Sequence, residues 1–217
     1  GSGMTPEVMA IVMLLTGPNG DPIKTFEEKV VWVKGMKGSE RRLAFIRGDL
    51  NATRENPAAY KKHVIPVIEK GDAYTWFHHG LLDVSTGQHG KDPNFSEPTF
   101  EALYEATYGV APRGDFYDAY KLVKSWRDAL QKAFWVNSGN PNKDKLVAAL
   151  NKMIKDPESV AAIEKKVGKY EWRTGVEGDD AVRTLKSFIT PEALKTLADF
   201  KSKQLGYNTV YKEELTK

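Results

Sequence analysis

A chain of 217 residues is long enough to bury a core, as one large domain or two small ones. Its 32 basic residues against 29 acidic ones leave a formal charge of +3, and Lys alternates with Asp and Glu, a balance that does not point to nucleic acid or a membrane surface. The absence of Cys excludes disulfides, thiol catalysis and cysteine-ligated metal, and no apolar run is long enough to span a bilayer. No signal peptide is visible, so an exported form would have shed its leader.

The first predicted element is a helix. Thr5 is placed to cap it, Pro6 to be its first residue and Glu7 to sit in its acidic first turn, ahead of an apolar stripe of Val8, Ile11, Val12 and Leu15. Gly17-Pro18-Asn19-Gly20 breaks the chain. Val30-Val31-Trp32-Val33 then reads as a buried strand, and Ser39 as the cap of a short helix carrying Leu43, Ala44 and Ile46. An extended segment near residues 50–53, a helix opened by Asn56-Pro57 and a further strand at 73–77 complete an alternating pattern that argues for α/β layers. Residues 87–98 read as a polar surface loop. From Thr99 onward the pattern is mostly helical: a helix to Tyr108, one carrying Leu122, Val123, Trp126, Leu130 and Phe134, and helices opened by Asn140-Pro141, Asp156-Pro157 and Thr190-Pro191, with another around 181–188. A short extended piece is expected at 170–174.

Two glycine-containing turns, one from Gly1 to Thr5 and one from Gly35 to Ser39, each precede a helix; neither has P-loop or dinucleotide-binding spacing. Free N–H groups at a helix start favour a carboxylate or phosphate. If the two turns converge, Ser2, Gly3, Met4 and Thr5 would hold an anion together with Lys37, Gly38 and Ser39. Arg54 follows an extended segment and can make a bidentate contact, with Glu55 as a competing partner. His78 and His79 adjoin Trp76 and Phe77. On a strand the two rings would face opposite ways, which suits a metal site poorly, so His78 is read as a hydrogen-bond donor at a pocket mouth and Trp76 as an aromatic wall. No metal site, cofactor or catalytic residue is assigned, and no enzymatic activity is expected.

Taken in order, these segments resemble the extracytoplasmic solute-binding receptors of tripartite tricarboxylate transporters. Gly1-Ser2-Gly3-Met4-Thr5 resembles that family's carboxylate-binding turn, and residues 31–39 its following strand and Lys-Gly-Ser-type turn. Arg47-Gly48-Asp49-Leu50, residues 67–71, residues 92–100 and the stretch from Asn140-Pro141 to Asp156-Pro157-Glu158 resemble its later motifs. The resemblance implies an α/β fold, a periplasmic-binding-protein-like two-lobed clamp with one lobe largely complete and the other partial, because the family's N-terminal segment has no counterpart here. It divides the chain into a ligand-binding α/β lobe at 1–110 and a mainly helical return segment at 111–217.

The function so implied is a periplasmic or otherwise extracytoplasmic receptor. It would capture a small organic acid, such as a dicarboxylate or tricarboxylate, and deliver it to a membrane permease. Two alternatives stay open on the residues themselves: a truncated structural or protein-interaction module, and a small hydrolase or lyase using His78, His79 and Asp83.

Overall fold

The first helix, α1 (Thr5–Thr16), carries one charged residue, Glu7, and is otherwise apolar or hydroxyl-bearing. It is buried almost all round: Val8, Met9, Ala10, Val12, Met13 and Leu14 are all inside, whereas Leu15 of the expected stripe is exposed. A helix without a polar face belongs at the centre of a helical core. The computed structural model, which describes residues 5–83, 86, 88–92, 95–130, 133–137, 139–167 and 172–209, places it there, against the long helix at Asp115–Leu130.

The next elements are α2 (Pro22–Lys29), capped by the Asp21 carboxylate, and α3 (Gly38–Ile46), whose first turn is closed by Glu40 accepting from the Lys37 N–H at 2.8 Å. Then come α4 (Pro57–Ala59), a π-helical turn at Tyr60–Val64, and α5 (Ile65–Glu69). A hairpin of β1 (Leu81–Asp83) and β2 (Gln88–Gly90) follows, antiparallel, with Leu82 opposite His89. The remainder is helical: α6 (Phe100–Tyr108), α7 (Asp115–Leu130), α8 (Lys143–Lys155), α9 (Pro157–Val167), α10 (Val176–Ser187), α11 (Pro191–Asp199) and a π-helical turn at Phe200–Gln204.

Helix α7 organises the packing. α1 and α11 lie along it, and α10 and β1 also touch it. Tyr120 and Ala119 of α7 are fully buried, and Tyr120 meets the fully buried Phe100 ring of α6 at 4.9 Å. Phe200 packs edge-on to Phe26 of α2 and Phe116 of α7, so the late part of the chain closes over the early part. By contrast α8 has no buried residue and packs chiefly on α9. No helix among the described residues is long and apolar enough to cross a membrane.

This architecture overturns the expected α/β class and the two-lobed clamp, and with them the resemblance to the tripartite-transporter receptors. Such a clamp needs a multi-stranded, mostly parallel sheet inside each lobe, and the described residues form one two-stranded antiparallel sheet in a mostly helical molecule.

The expected strands fail for specific reasons. Val30–Val33 has no pairing partner: Val31 is 92% exposed, and Trp32 instead anchors the segment against the core. Around 50–53 the backbone is held by a side chain, because Arg41 donates to Thr53 Oγ1 at 3.0 Å and to the Arg54 carbonyl at 2.9 Å. Among the described residues, 73–77 have no strand partner, and His78 forms an isolated parallel bridge to Thr99. Helix starts were easier to read: Asn56, Thr99, Asp156 and Thr190 all accept from a backbone N–H three residues on. The segment expected to be extended at 170–174 lies partly outside the described residues.

Two outcomes check this packing. Met9→Ala, which empties a fully enclosed site, is expected to cost about 3 kcal/mol, and Leu146→Ala on α8 under about 0.5 kcal/mol; equal losses in urea melts would contradict the central place of α1. His89 of β2 sits 3.3 Å from Ser125 Oγ of α7, and burial first, then the Lys124 charge, hold its pKa down at about 3 against an ordinary 6.5. The unfolded chain therefore binds the proton more tightly, and stability falls as the pH drops from about 6.5 towards 3. Urea melts across that range should show the fall, and His89→Gln should flatten part of it.

Candidate functional site

A cavity of about 910 Å³ opens where the irregular segments meet the helical core. Its walls come from α1, the end of α3, residues 48–57, the π-helical turn after α4, residues 71–82, Asp92 and Phe95 before α6, and the end of α7, with Arg173 contributing from before α10.

Glu7 lies at its base, 6% exposed. Three side chains from three distant segments converge on its Oε1. Arg127 of α7 is in direct ion-paired contact, the Arg54 Nε is at 3.8 Å and the His79 Nε2 at 3.6 Å. The other His79 nitrogen, Nδ1, is 2.8 Å from the Tyr120 hydroxyl. The His79 ring thus bridges the Glu7 carboxylate and the Tyr120 hydroxyl. Burial alone would raise the Glu7 pKa, but the His79 hydrogen bond and the Arg127 and Arg54 charges outweigh it and hold it at about 2. Glu7 is thus a fixed carboxylate and cannot serve as a general acid at neutral pH.

His78 is 6% exposed and sits between two partners. Its Nδ1 accepts from the Gly80 N–H at 2.9 Å, and its ring stacks on Phe95 with centroids 5.2 Å apart. Burial, partly offset by Asp92, pushes its pKa below the usual value, so the ring is neutral at pH 7 and carries its proton on Nε2. Gly80 is required at the turn into β1: its φ is +73°, and a Cβ there would lie 2.3 Å from the Gly90 carbonyl oxygen. Among the described residues, three buried polar atoms of cavity-lining residues have no hydrogen-bond partner: Glu7 Oε2, Arg54 Nε and His78 Nε2. The first is an acceptor and the other two are donors.

The upper walls are aromatic. Tyr60 and Phe95 rings lie 5.1 Å apart, and Tyr60 is held by its hydroxyl to Thr75 at 2.9 Å and to Glu97 at 3.2 Å. Trp76 is 40% exposed and Tyr74 81% exposed. Three guanidiniums (Arg54, Arg127, Arg173) face four carboxylates (Glu7, Glu55, Asp72, Asp92) around the cavity. The site therefore has no surplus positive charge with which to select an anion. Among the described residues no cluster of His, Asp and Glu has the arrangement of a metal site.

Of the residues singled out from sequence, Arg54, Trp76 and His78 line this cavity. Thr5 is fully buried in α1, while Lys37, Gly38 and Ser39 are exposed at the start of α3; none of these four is among the lining residues. Ser2, Gly3 and Met4 lie outside the described residues. Asp83 of the hydrolase alternative is exposed on β1 and does not line the cavity.

Sequence reasoning missed Glu7, Arg127 and Tyr60. The signal for Glu7 was present: a lone carboxylate in a helix with no polar face must find a cation inside the fold.

No family model, curated protein or solved structure matches the chain. The structure contradicts an organic-acid receptor feeding a permease: that requires two α/β lobes closing on an anion, and the described residues form neither those lobes nor a cationic cleft.

Glu7→Gln tests the buried cluster. It leaves Arg54 and Arg127 inside without their counter-charge, and is expected to cost about 3 kcal/mol at pH 7. The wild-type Glu7 contribution is fully present above the ordinary value of 4.5 and is lost as the pH falls towards about 2. Urea melts of the two proteins should therefore converge between pH 4.5 and 2, and a constant gap would refute the assignment.

Proposed function

We propose that the chain binds a neutral, hydroxyl-rich small molecule of the carbohydrate class in this cavity, reversibly and without turnover. The observation that carries the reading is the combination of an unmatched buried acceptor, Glu7 Oε2, and an unmatched buried donor, His78 Nε2, with aromatic walls in a single cavity. A sugar ring offers hydroxyls that both donate and accept at its edge, and C–H groups on its faces that pack on aromatic rings. One hydroxyl donating to Glu7 and another accepting from His78 would satisfy both buried atoms, each of which is costly to leave unmade.

Charge argues the same way. A near-balanced lining favours a neutral guest over an anion, which would face the carboxylates, and over a cation, which would face the guanidiniums. The absence of turnover is supported by the fixed ionisation of Glu7, which cannot donate a proton to a leaving group. An extracytoplasmic setting belongs to the same proposal; a chain without thiols is indifferent to an oxidising compartment.

Titration calorimetry with glucose, N-acetylglucosamine, cellobiose, chitobiose and maltose, with succinate and citrate as charged controls, tests the reading. The expected result is stoichiometric binding of at least one neutral sugar, recovered unchanged, with His78→Ala weakening it about fivefold or more. Binding of the acids alone, cleavage of a sugar, or binding indifferent to His78→Ala would overturn it.

A further inference from the structure

The segment leading to His78 has a depth gradient. From residue 73 to 77, half-buried and exposed positions alternate with the period-2 pattern of extended chain. Thr75, Phe77 and His79 are also tied to neighbouring side chains: Thr75 meets Tyr60, Phe77 packs on Phe100, and His79 meets Tyr120. The whole stretch from 73 to 79 lines the cavity, and within it Tyr74, Trp76 and His78 form the alternate set. Their exposure falls from 81% to 40% to 6% along the segment. Four residues of extended chain reach up to about 14 Å, so these side chains form a row running from the rim to the buried base.

From this row we infer that the cavity takes an oligosaccharide of about three rings, laid along residues 74–78 with one terminal ring at Glu7 and His78. The inference rests on the carbohydrate reading and adds to it the length and direction of the ligand. A monosaccharide seated at Glu7 and His78 would leave Tyr74 and Trp76 without a partner. It would also occupy only part of a cavity of about 910 Å³, which is near the top of the range of about 300–1,000 Å³ that accommodates drug-sized ligands.

The polar lining continues beside the row. Asn51, Asn56 and Arg54 lie on the residue 48–57 wall, and that wall is pinned from α3 by Arg41, with Arg42 donating to Glu55 at 2.9 Å. A pinned wall of amides and guanidinium in the same cavity as an aromatic row offers hydrogen-bonding groups to ring edges while the rings stack. Each aromatic station therefore adds to binding, and the innermost ring fixes the register.

The test is a length series. Cello-oligosaccharides and chito-oligosaccharides of one to five units are titrated into wild type, Trp76→Ala and Tyr74→Ala. Tyr74 is 81% exposed, so its removal is expected to leave the fold intact, and circular dichroism of both variants is the check. In the series that binds, affinity is expected to rise about three- to tenfold per ring up to three rings and then level off. Tyr74→Ala should lower the trisaccharide affinity by about that factor and the monosaccharide affinity by clearly less.

A monosaccharide that binds as tightly as the trisaccharide would overturn this inference while leaving the carbohydrate reading standing. So would a Tyr74→Ala loss that is equal at every length. If neither series binds at any length but maltose does, the row model again falls alone. If no sugar binds at all, the carbohydrate reading falls first and the inference with it.

Discussion

One buried carboxylate ties the molecule together. Glu7 is carried into the core by a helix that has no polar face, so its charge must be answered from inside the fold. The answers come from Arg54 on an irregular wall, His79 before the hairpin and Arg127 near the end of α7. Four segments far apart in sequence are thereby fixed to one oxygen. The Coulombic gain offsets the desolvation of the charges only while this geometry holds, which makes the cluster a constraint on the cavity as well as on the core. It also decides chemistry: a carboxylate kept ionised is an acceptor, and the function proposed for it is to receive a hydroxyl.

The cavity exists because the chain between α2 and α6 does not form regular layers. Its segments are fastened by side chains in place of sheet neighbours. Arg41 and Arg42 reach from α3 to residues 53–55, Tyr60 bridges Thr75 and Glu97, and Gly80 admits the backbone contact with Gly90 that turns the chain into β1. Backbone without internal hydrogen bonds is ordinarily kept at the surface. Here it is held against a rigid helical core, and the gap between the two is the site. The α8–α9 pair lies outside this arrangement, with α8 burying nothing.

Much of the helical part was legible in the sequence, because helix starts are local chemistry. Thr99, Thr190, Asn56 and Asp156 announce themselves by a side chain that can accept from a backbone N–H three residues later. The strands were misread for the opposite reason. A run such as Val30-Val31-Trp32-Val33 has the composition of a strand, but pairing is a non-local property, and no neighbour is present. Apparent strands between helices give an α/β pattern that the described residues do not form, and the expected two-lobed clamp falls with it. In the site, Arg54, Trp76 and His78 could be singled out from their place after non-helical stretches. Glu7 and Arg127 could not be paired from sequence, since 120 residues separate them.

The most direct measurement of the central claim is the ionisation of Glu7 itself, followed by the carboxyl ¹³C resonance of that side chain as pH is lowered. The account requires the signal to remain that of a carboxylate through pH 4 and to turn over near 2. A midpoint at 4.5 or above would show that the guanidiniums do not answer the charge. The buried cluster, and the acceptor role assigned to it, would then have to be abandoned.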